Sequence, residues 1–164
     1  MIRHDALSAM LGSILGLRLD ELNLACEMMM FHFGAYALHA RCLVRILKDG
    51  EILATTLDYQ RWDERIPENN DEWYFIEKYR AEILGGKVVS VELNPVHDLR
   101  IRMDNGVVIE MVIANGNHHF DGEREQWVFF KHDDESHPFV SVYDKSIRIS
   151  CGRGGKGVEE CLEQ

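Results

Sequence analysis

The strongest constraint on the fold of this chain is an internal repeat. Two stretches that begin 69 residues apart (84 − 15) share the pattern Leu-Gly-x-basic-apolar, starting at Leu15 and at Leu84. Each continues through two segments of alternating apolar residues and ends at a glycine turn, at Gly34 in the first stretch and at Gly106 in the second. Repetition of this kind constrains architecture before individual residues are considered. It predicts two similar β units.

Alternation with a period of two residues, interrupted by glycine and asparagine turns, is typical of antiparallel strands joined by short hairpins. We therefore expect two β-meander units, at 15–58 and 84–150. The predicted strands lie at 17–24, 29–33, 36–47 and 51–54 in the first unit, and at 87–93, 99–103, 107–114, 125–130, 138–143 and 146–150 in the second.

One amphipathic helix is predicted between the units, near 70–84. Asn69 or Asn70 can cap its N-terminus, and Gly85-Gly86 can end it. Since its apolar residues recur every three to four positions, they form one face that is expected to pack across the β units. These residues are Trp73, Ile76, Tyr79 and Ile83.

The composition is that of one compact domain. The chain has 164 residues, of which 46% are apolar, enough to bury a core without metals or disulfides. We expect an α+β fold, mainly antiparallel β, whose two units form a sheet or a partly open barrel within a single domain at 1–150. Asp5 is expected to cap a short helix over 6–11, and the segment 151–164 to be a flexible C-terminal tail.

The charge of the chain limits its partners. A formal net charge of −10 argues against general nucleic-acid binding and against docking on anionic lipid, because both depend on Lys and Arg. An acidic domain suits a basic protein partner, since complementary fields accelerate encounter. Solubility alone also explains an acidic composition, so both interpretations stay open.

The cysteines and the N-terminus indicate a cytoplasmic protein. The apolar stretch 6–19 is interrupted by polar residues and glycines and is too short to span a membrane. No C-x-x-C spacing indicates zinc, and we expect reduced thiols, with Cys26 and Cys42 as small core residues. The four cysteines are Cys26, Cys42, Cys151 and Cys161.

No arrangement of residues points to catalysis. The chain contains no G-x-S-x-G or H-E-x-x-H motif, so we expect a binding protein that is not an enzyme and needs no cofactor. The late histidines could hold a metal if they converged in space with nearby aspartates, but a solvated polar loop explains them as well; they are His118, His119, His132 and His137. His32 and His39, within strands of the first unit, are expected to be core or edge histidines.

The acidic residues concentrate in two regions, 63–82 and 121–137, each with a net charge of −4 (3 − 7 and 2 − 6). If these regions lie on one side of the fold, they form a face for a basic surface, with aromatic side chains as anchors. A solvated rim is the alternative. The candidate partner-binding residues are Asp121, Glu123, Glu125, Asp133, Asp134, Glu135, Trp62 and Tyr59.

Several segments together resemble small β-rich bacterial proteins, some of which are uncharacterised and others immunity proteins of toxin systems, including contact-dependent growth inhibition. The resemblance spans about 15–149 and rests on structural glycines and alternating apolar positions. It implies a one-to-one complex that blocks a toxin, often a nuclease with a basic active site. The segments are Leu15–Leu19, Met29–Gly34, His39–Ile46, Met103–Gly106 and Trp127–Phe130.

The expected function is therefore that of an immunity protein, which neutralises a cognate toxin through acidic surface loops. The main alternative is a small-ligand- or metal-binding β-barrel protein or an enzyme of unknown substrate. A structural subunit of a homo-oligomer is a third possibility.

Overall fold

The structure is a computed structural model, and it describes residues 4–25, 28–60, 64–66, 72–114, 122–134 and 136–150. The helices are α1 (His4–Leu11), α2 (Leu57–Gln60) and α3 (Glu72–Ile83), and a 3-10 turn spans Gly12–Ile14. The strands are β1 (Glu21–Ala25), β2 (Met28–Phe33), β3 (Tyr36–Ala40), β4 (Leu43–Lys48), β5 (Glu51–Thr55), β6 (Val88–Leu93), β7 (Leu99–Met103), β8 (Val107–Val112), β9 (Glu125–Lys131), β10 (Phe139–Tyr143) and β11 (Ile147–Ser150).

The strands form two antiparallel sheets that exchange hairpins. One sheet has the order β1-β2-β3-β9-β10-β11 and the other the order β5-β4-β8-β7-β6. The meander β1-β2-β3 is thus extended by the three strands β9-β10-β11 that follow the second meander, and the meander β6-β7-β8 is extended by the hairpin β4-β5 that follows the first. The predicted α+β, mainly antiparallel fold is confirmed, and within the described residues the sheets do not close into a barrel.

Backbone hydrogen bonds near the start of each unit follow the 69-residue repeat. The Gly16 N–H donates to the Val88 carbonyl at 2.8 Å, and the Gly85 N–H donates to the Leu19 carbonyl at 2.9 Å, so a shift of 69 residues converts one bond into the other. An isolated antiparallel bridge pairs Arg18 with Lys87, which are themselves equivalent positions. The two units are therefore related locally by an approximate twofold axis through this bridge.

The prediction of one strand over 36–47 is wrong at its centre. The chain leaves the first sheet after Ala40 and enters the second at Leu43. At the crossing, the N–H groups of Arg41 and Cys42 both donate to the Gln126 carbonyl, at 2.8 and 3.0 Å. These bonds satisfy the backbone N–H groups at the bend. One apolar segment, whose pattern predicts a single strand, can therefore contribute a strand to each of the two sheets.

Alternate side chains of both sheets face one core. In β2 the inward residues Met29, Phe31 and Phe33 are fully buried, and in β8 Val107, Ile109 and Met111 are fully buried. Leu7 and Leu11 of α1 belong to the same cluster. The N-terminal helix begins at His4, so Asp5 lies in its first turn, and the prediction that Asp5 caps this helix is wrong.

The helix α3 confirms the predicted helical segment, with Ile76 and Ile83 buried and Tyr79 packed against the core. The prediction that Trp73 shares the packed face is wrong, because Trp73 is 40% exposed in the first turn of the helix. The helix contacts β5, and Nη1 of Arg80 donates to the Leu22 carbonyl of β1 at 3.1 Å. It therefore lies against edge strands of both sheets. Asn69 and Asn70, its predicted caps, are outside the described residues.

Cys42 is the cysteine that the described residues include, and it is buried as predicted. The other cysteines and the predicted tail at 151–164 lie outside them. None of the helices in the described part of the chain is long and apolar enough to cross a membrane.

Candidate functional site

The acidic residues predicted to bind a partner lie at the two ends of β9, as far as the structure describes them. At its start, Glu123 forms an ion pair with Arg148, and Glu125 Oε1 lies 3.9 Å from Arg41 Nε. Beyond its other end, Asp133 and Asp134 lie 3.8 and 3.7 Å from the Lys131 ammonium group. Each of these acids is therefore close to a basic side chain of the same chain.

These acids do not form one cluster. The strand β9 that lies between them has seven residues, which corresponds to about 20 Å along the strand. Asp134 also accepts hydrogen bonds from the side chain and backbone of Ser136, which lower the pKa of its carboxyl. Asp121, Glu135, Trp62 and the side chain of Tyr59 are outside the description.

Between the two acidic ends lies the outer face of the six-stranded sheet, which we call the imidazole face. Since Phe31, Leu38 and Phe129 point into the core, the residues one position away on the same strands point outward. Its central residues are Met28, Met30, His32, Ala37, His39, Val128, Phe130, Phe139 and Ser141.

A continuous row of aromatic rings crosses this face. The ring centroids of His132 and His32 are 5.5 Å apart, those of His32 and His39 are 5.8 Å apart, and both pairs are stacked. The row continues from His39 to Phe130, whose rings meet edge to face, and from Phe130 to Phe139, whose rings are stacked. The ring centroids are 5.0 Å apart in both pairs. The row therefore spans the adjacent strands β2, β3, β9 and β10.

The three imidazoles have different surroundings. Nδ1 of His32 lies 3.4 Å from Glu21 Oε2, and Nε2 of His132 lies 2.9 Å from the Gly34 carbonyl. Within the described residues, Nε2 of His39 is buried without a hydrogen-bond partner. Burial, and secondarily the neighbouring His32, lower the pKa of His39 below its ordinary value. The lowered pKa favours the neutral form of His39.

The five-stranded sheet presents a charged outer face. Glu92, Arg100, Glu110 and Arg45 are neighbours across β6, β7, β8 and β4. Nη2 of Arg45 donates to Glu110 at 2.5 Å, and Nε of Arg100 lies 3.5 Å from the other oxygen of Glu110 without a hydrogen bond. An open cavity of about 430 Å³ lies over this row, next to Asn94 and Asp98.

Comparison with known proteins gives no family. No protein-family model, no curated protein and no solved structure matches the chain.

The outer faces of the two sheets differ although their positions are equivalent. The row Asn23–Met30–His39–Val128 crosses the first sheet in the same order in which the row Glu92–Arg100–Glu110–Arg45 crosses the second. The first row has a polar asparagine at its edge followed by apolar residues and an imidazole, whereas the second alternates in charge. The imidazole face is therefore not a property of the repeat.

Sequence reasoning did not find this face. The sequence predicts His32 and His39 as core or edge histidines; both are partly buried, but they lie on the outer side of the sheet, and His32 stacks on His39 and His132. Among the described residues, no three His, Cys, Asp or Glu side chains are placed to hold a metal ion. His137 lies near Tyr36 and not in the row, and His118 and His119 are outside the description. The alternation of β2 was the available signal, because it places Met30 and His32 on one side of the strand.

Proposed function

We propose that this chain is an immunity protein that binds and neutralises a cognate toxin domain, a nuclease with a basic surface, in the cytoplasm. The observation that carries the proposal is the acidic character of the chain, with a net charge of −10, together with acids at both ends of β9. The resemblance to immunity proteins supports the same conclusion.

Neutralisation of this kind requires binding and no chemistry. Acidic side chains steer a basic partner towards the surface, and they raise the association rate more than they slow dissociation. A bound acidic protein then covers the basic residues with which a nuclease contacts phosphates. The affinity is expected to fall as salt concentration rises, because exposed charges are screened.

The test uses the product of the adjacent gene in a catalytically inactive form. Purified with this chain, it should form a one-to-one complex, and the association rate should fall with salt. Asp133→Lys should slow association more than Glu51→Lys, a matched control with the same change of charge at an exposed residue of β5. Equal effects of the two variants would contradict the acidic loops as the binding region, and no complex at all would refute the proposal.

The cavity on the five-stranded sheet supports a second candidate, the binding of a small polar ligand, because its lining includes two guanidinium groups and three carboxylates, those of Glu92, Asp98 and Glu110. Arg45 and Arg100 share the single carboxylate of Glu110 there, and each retains guanidinium N–H groups that a carboxylate or phosphate could accept. Such a ligand should raise the melting temperature of the wild type and not of Arg45→Gln. A ligand effect that survives Arg45→Gln would exclude this cavity.

A further inference from the structure

We infer that the imidazole face is the docking surface for the toxin, and that it fits an apolar protrusion flanked by Lys or Arg side chains. The inference rests on the proposed function and names the surface and the chemistry of the partner. The centre of the face is apolar and imidazole-bearing, and acidic residues lie along its border. That combination is typical of protein–protein interfaces, in which a polar rim surrounds a desolvated centre with aromatic anchors.

The exposure of the face supports a partner. An antiparallel sheet with one face on the core usually presents a polar face to water, as the five-stranded sheet does with Arg100, Glu110 and Arg45. On the six-stranded sheet, Met28, Met30 and Phe130 are partly exposed and Phe139 is 37% exposed, around the buried Ala37, Val128 and Ser141. Partly exposed apolar side chains grouped on one face are typical of an interaction site.

The charges around the face indicate a basic partner. Glu21 borders it at β1, Glu123 near the start of β9, and Asp133 and Asp134 beyond the end of β9. The nearby cations Lys131 and Arg148 already form ion pairs with these acids. An arriving Lys or Arg therefore meets an acidic border and, among the central residues of the face, no Lys or Arg of this chain.

Protonation of the imidazoles would reverse this preference. His32 contacts Glu21 on one side and the rings of His39 and His132 on the others, and His132 follows Lys131 and precedes Asp133 in the chain. Added protons would place like charges between stacked rings and against the cations of the partner. Binding should therefore weaken on acidification from pH 7.5 to 5.5, because an approaching Lys or Arg disfavours the charged form of an imidazole.

The experiment measures the dissociation constant of the inactive toxin domain with two variants that each replace an exposed apolar residue by Lys. Phe139→Lys changes the imidazole face, and Ile52→Lys changes β5 of the other sheet, where Ile52 is 54% exposed. We expect Phe139→Lys to weaken binding by more than about tenfold, as at an interface anchor, and Ile52→Lys to change it by less than about threefold.

A second measurement keeps the inference testable if Phe139→Lys fails to fold. The wild type should lose affinity between pH 7.5 and 5.5, and the double variant His32→Gln/His39→Gln should lose most of that dependence. An unchanged pH dependence in the double variant would overturn the inference. Wild-type affinity in Phe139→Lys, with weakened binding in Asp133→Lys, would also overturn it, although the proposed function would then stand.

Light scattering tests the alternative occupant of this face, which is a second copy of the chain. If the wild type were a dimer and Phe139→Lys a monomer, the face would be a self-association surface, and the inference would be overturned. A wild type that forms no complex with the toxin at any pH would refute the proposed function itself.

Discussion

The contact between Gly86 and Asn105 permits a quantitative test of how α3 is held to the second unit. Nδ2 of Asn105, in the β7–β8 turn, donates to the Glu82 carbonyl at 3.1 Å, and its Oδ1 accepts the Val107 N–H at 3.2 Å. Asn105 thus caps the C-terminus of α3 and orders its own turn. A Cβ added at Gly86 would lie 2.5 Å from Asn105 Cγ and 2.8 Å from Nδ2.

Gly86→Ala should therefore destabilise the protein by displacing Asn105. The φ angle of Gly86 is not positive, so the backbone accepts alanine and the cost comes from the displaced side chain. Two hydrogen bonds at about 1 kcal/mol each give a loss of about 2 kcal/mol, or roughly 4–8 °C in melting temperature. Asn105→Ala should cost about the same, because it removes the same two bonds.

The double variant distinguishes this account from two independent defects. Gly86→Ala/Asn105→Ala has no clash and no further bonds to lose, so its unfolding free energy in urea should equal that of Asn105→Ala alone. Gly12→Ala, where an added Cβ meets nothing within 4 Å, is the control and should change stability little. Additive losses, about 4 kcal/mol in the double variant, would refute the reasoning.

Three further predictions concern pH, reactivity and assembly. Since the pKa of His39 is lowered from 6.5 in the folded state, the unfolded state binds more protons below that pH, and the unfolding free energy should fall as pH drops from 7 to 5; urea titrations should show a smaller fall for His39→Gln. Burial raises the pKa of the Cys42 thiol to about 12, so iodoacetamide followed by peptide mapping should label Cys42 only after denaturation, and rapid labelling of the native protein would contradict its burial. Because the units exchange hairpins, fragments 1–66 and 67–164 should each be unfolded by circular dichroism and should refold when mixed; a folded single fragment would argue against the exchange.

The strands were predictable because alternation and turn glycines are local signals. Gly34 and Gly106 have positive φ angles of 59° and 85° at hairpin turns, a conformation that favours glycine. The exchange of hairpins was not predictable in this way. A period of two assigns each residue to a face but does not identify the neighbouring strand, and the crossing at Arg41–Cys42 is marked only by bonds to Gln126, which is distant in sequence.

The candidate site was predictable only in its charge. Composition identified the acidic segments, but the ion pair of Glu123 with Arg148 joins residues 25 positions apart, and it forms because β10 and β11 return alongside β9. The stack of His132 on His32 likewise depends on the position of β9 beside β3. Contacts of this range follow from register, which the single sequence does not determine.

The two copies show where this chain is free to acquire a function. The inward row Leu22–Phe31–Leu38–Phe129–Val140 and its equivalent Val91–Ile101–Ile109–Ile46–Ala54 are both entirely apolar. Their outward neighbours differ in chemistry, because Met30, His39 and Val128 stand where the other copy has Arg100, Glu110 and Arg45. Burial in one core constrains the inward rows to hydrophobic residues. The outward rows are not under this constraint, so one can carry imidazoles and the other charged side chains. A difference between the outward rows is therefore not explained by the duplication or by packing. In this chain it separates the imidazole face of one sheet from the row of ion-paired residues on the other.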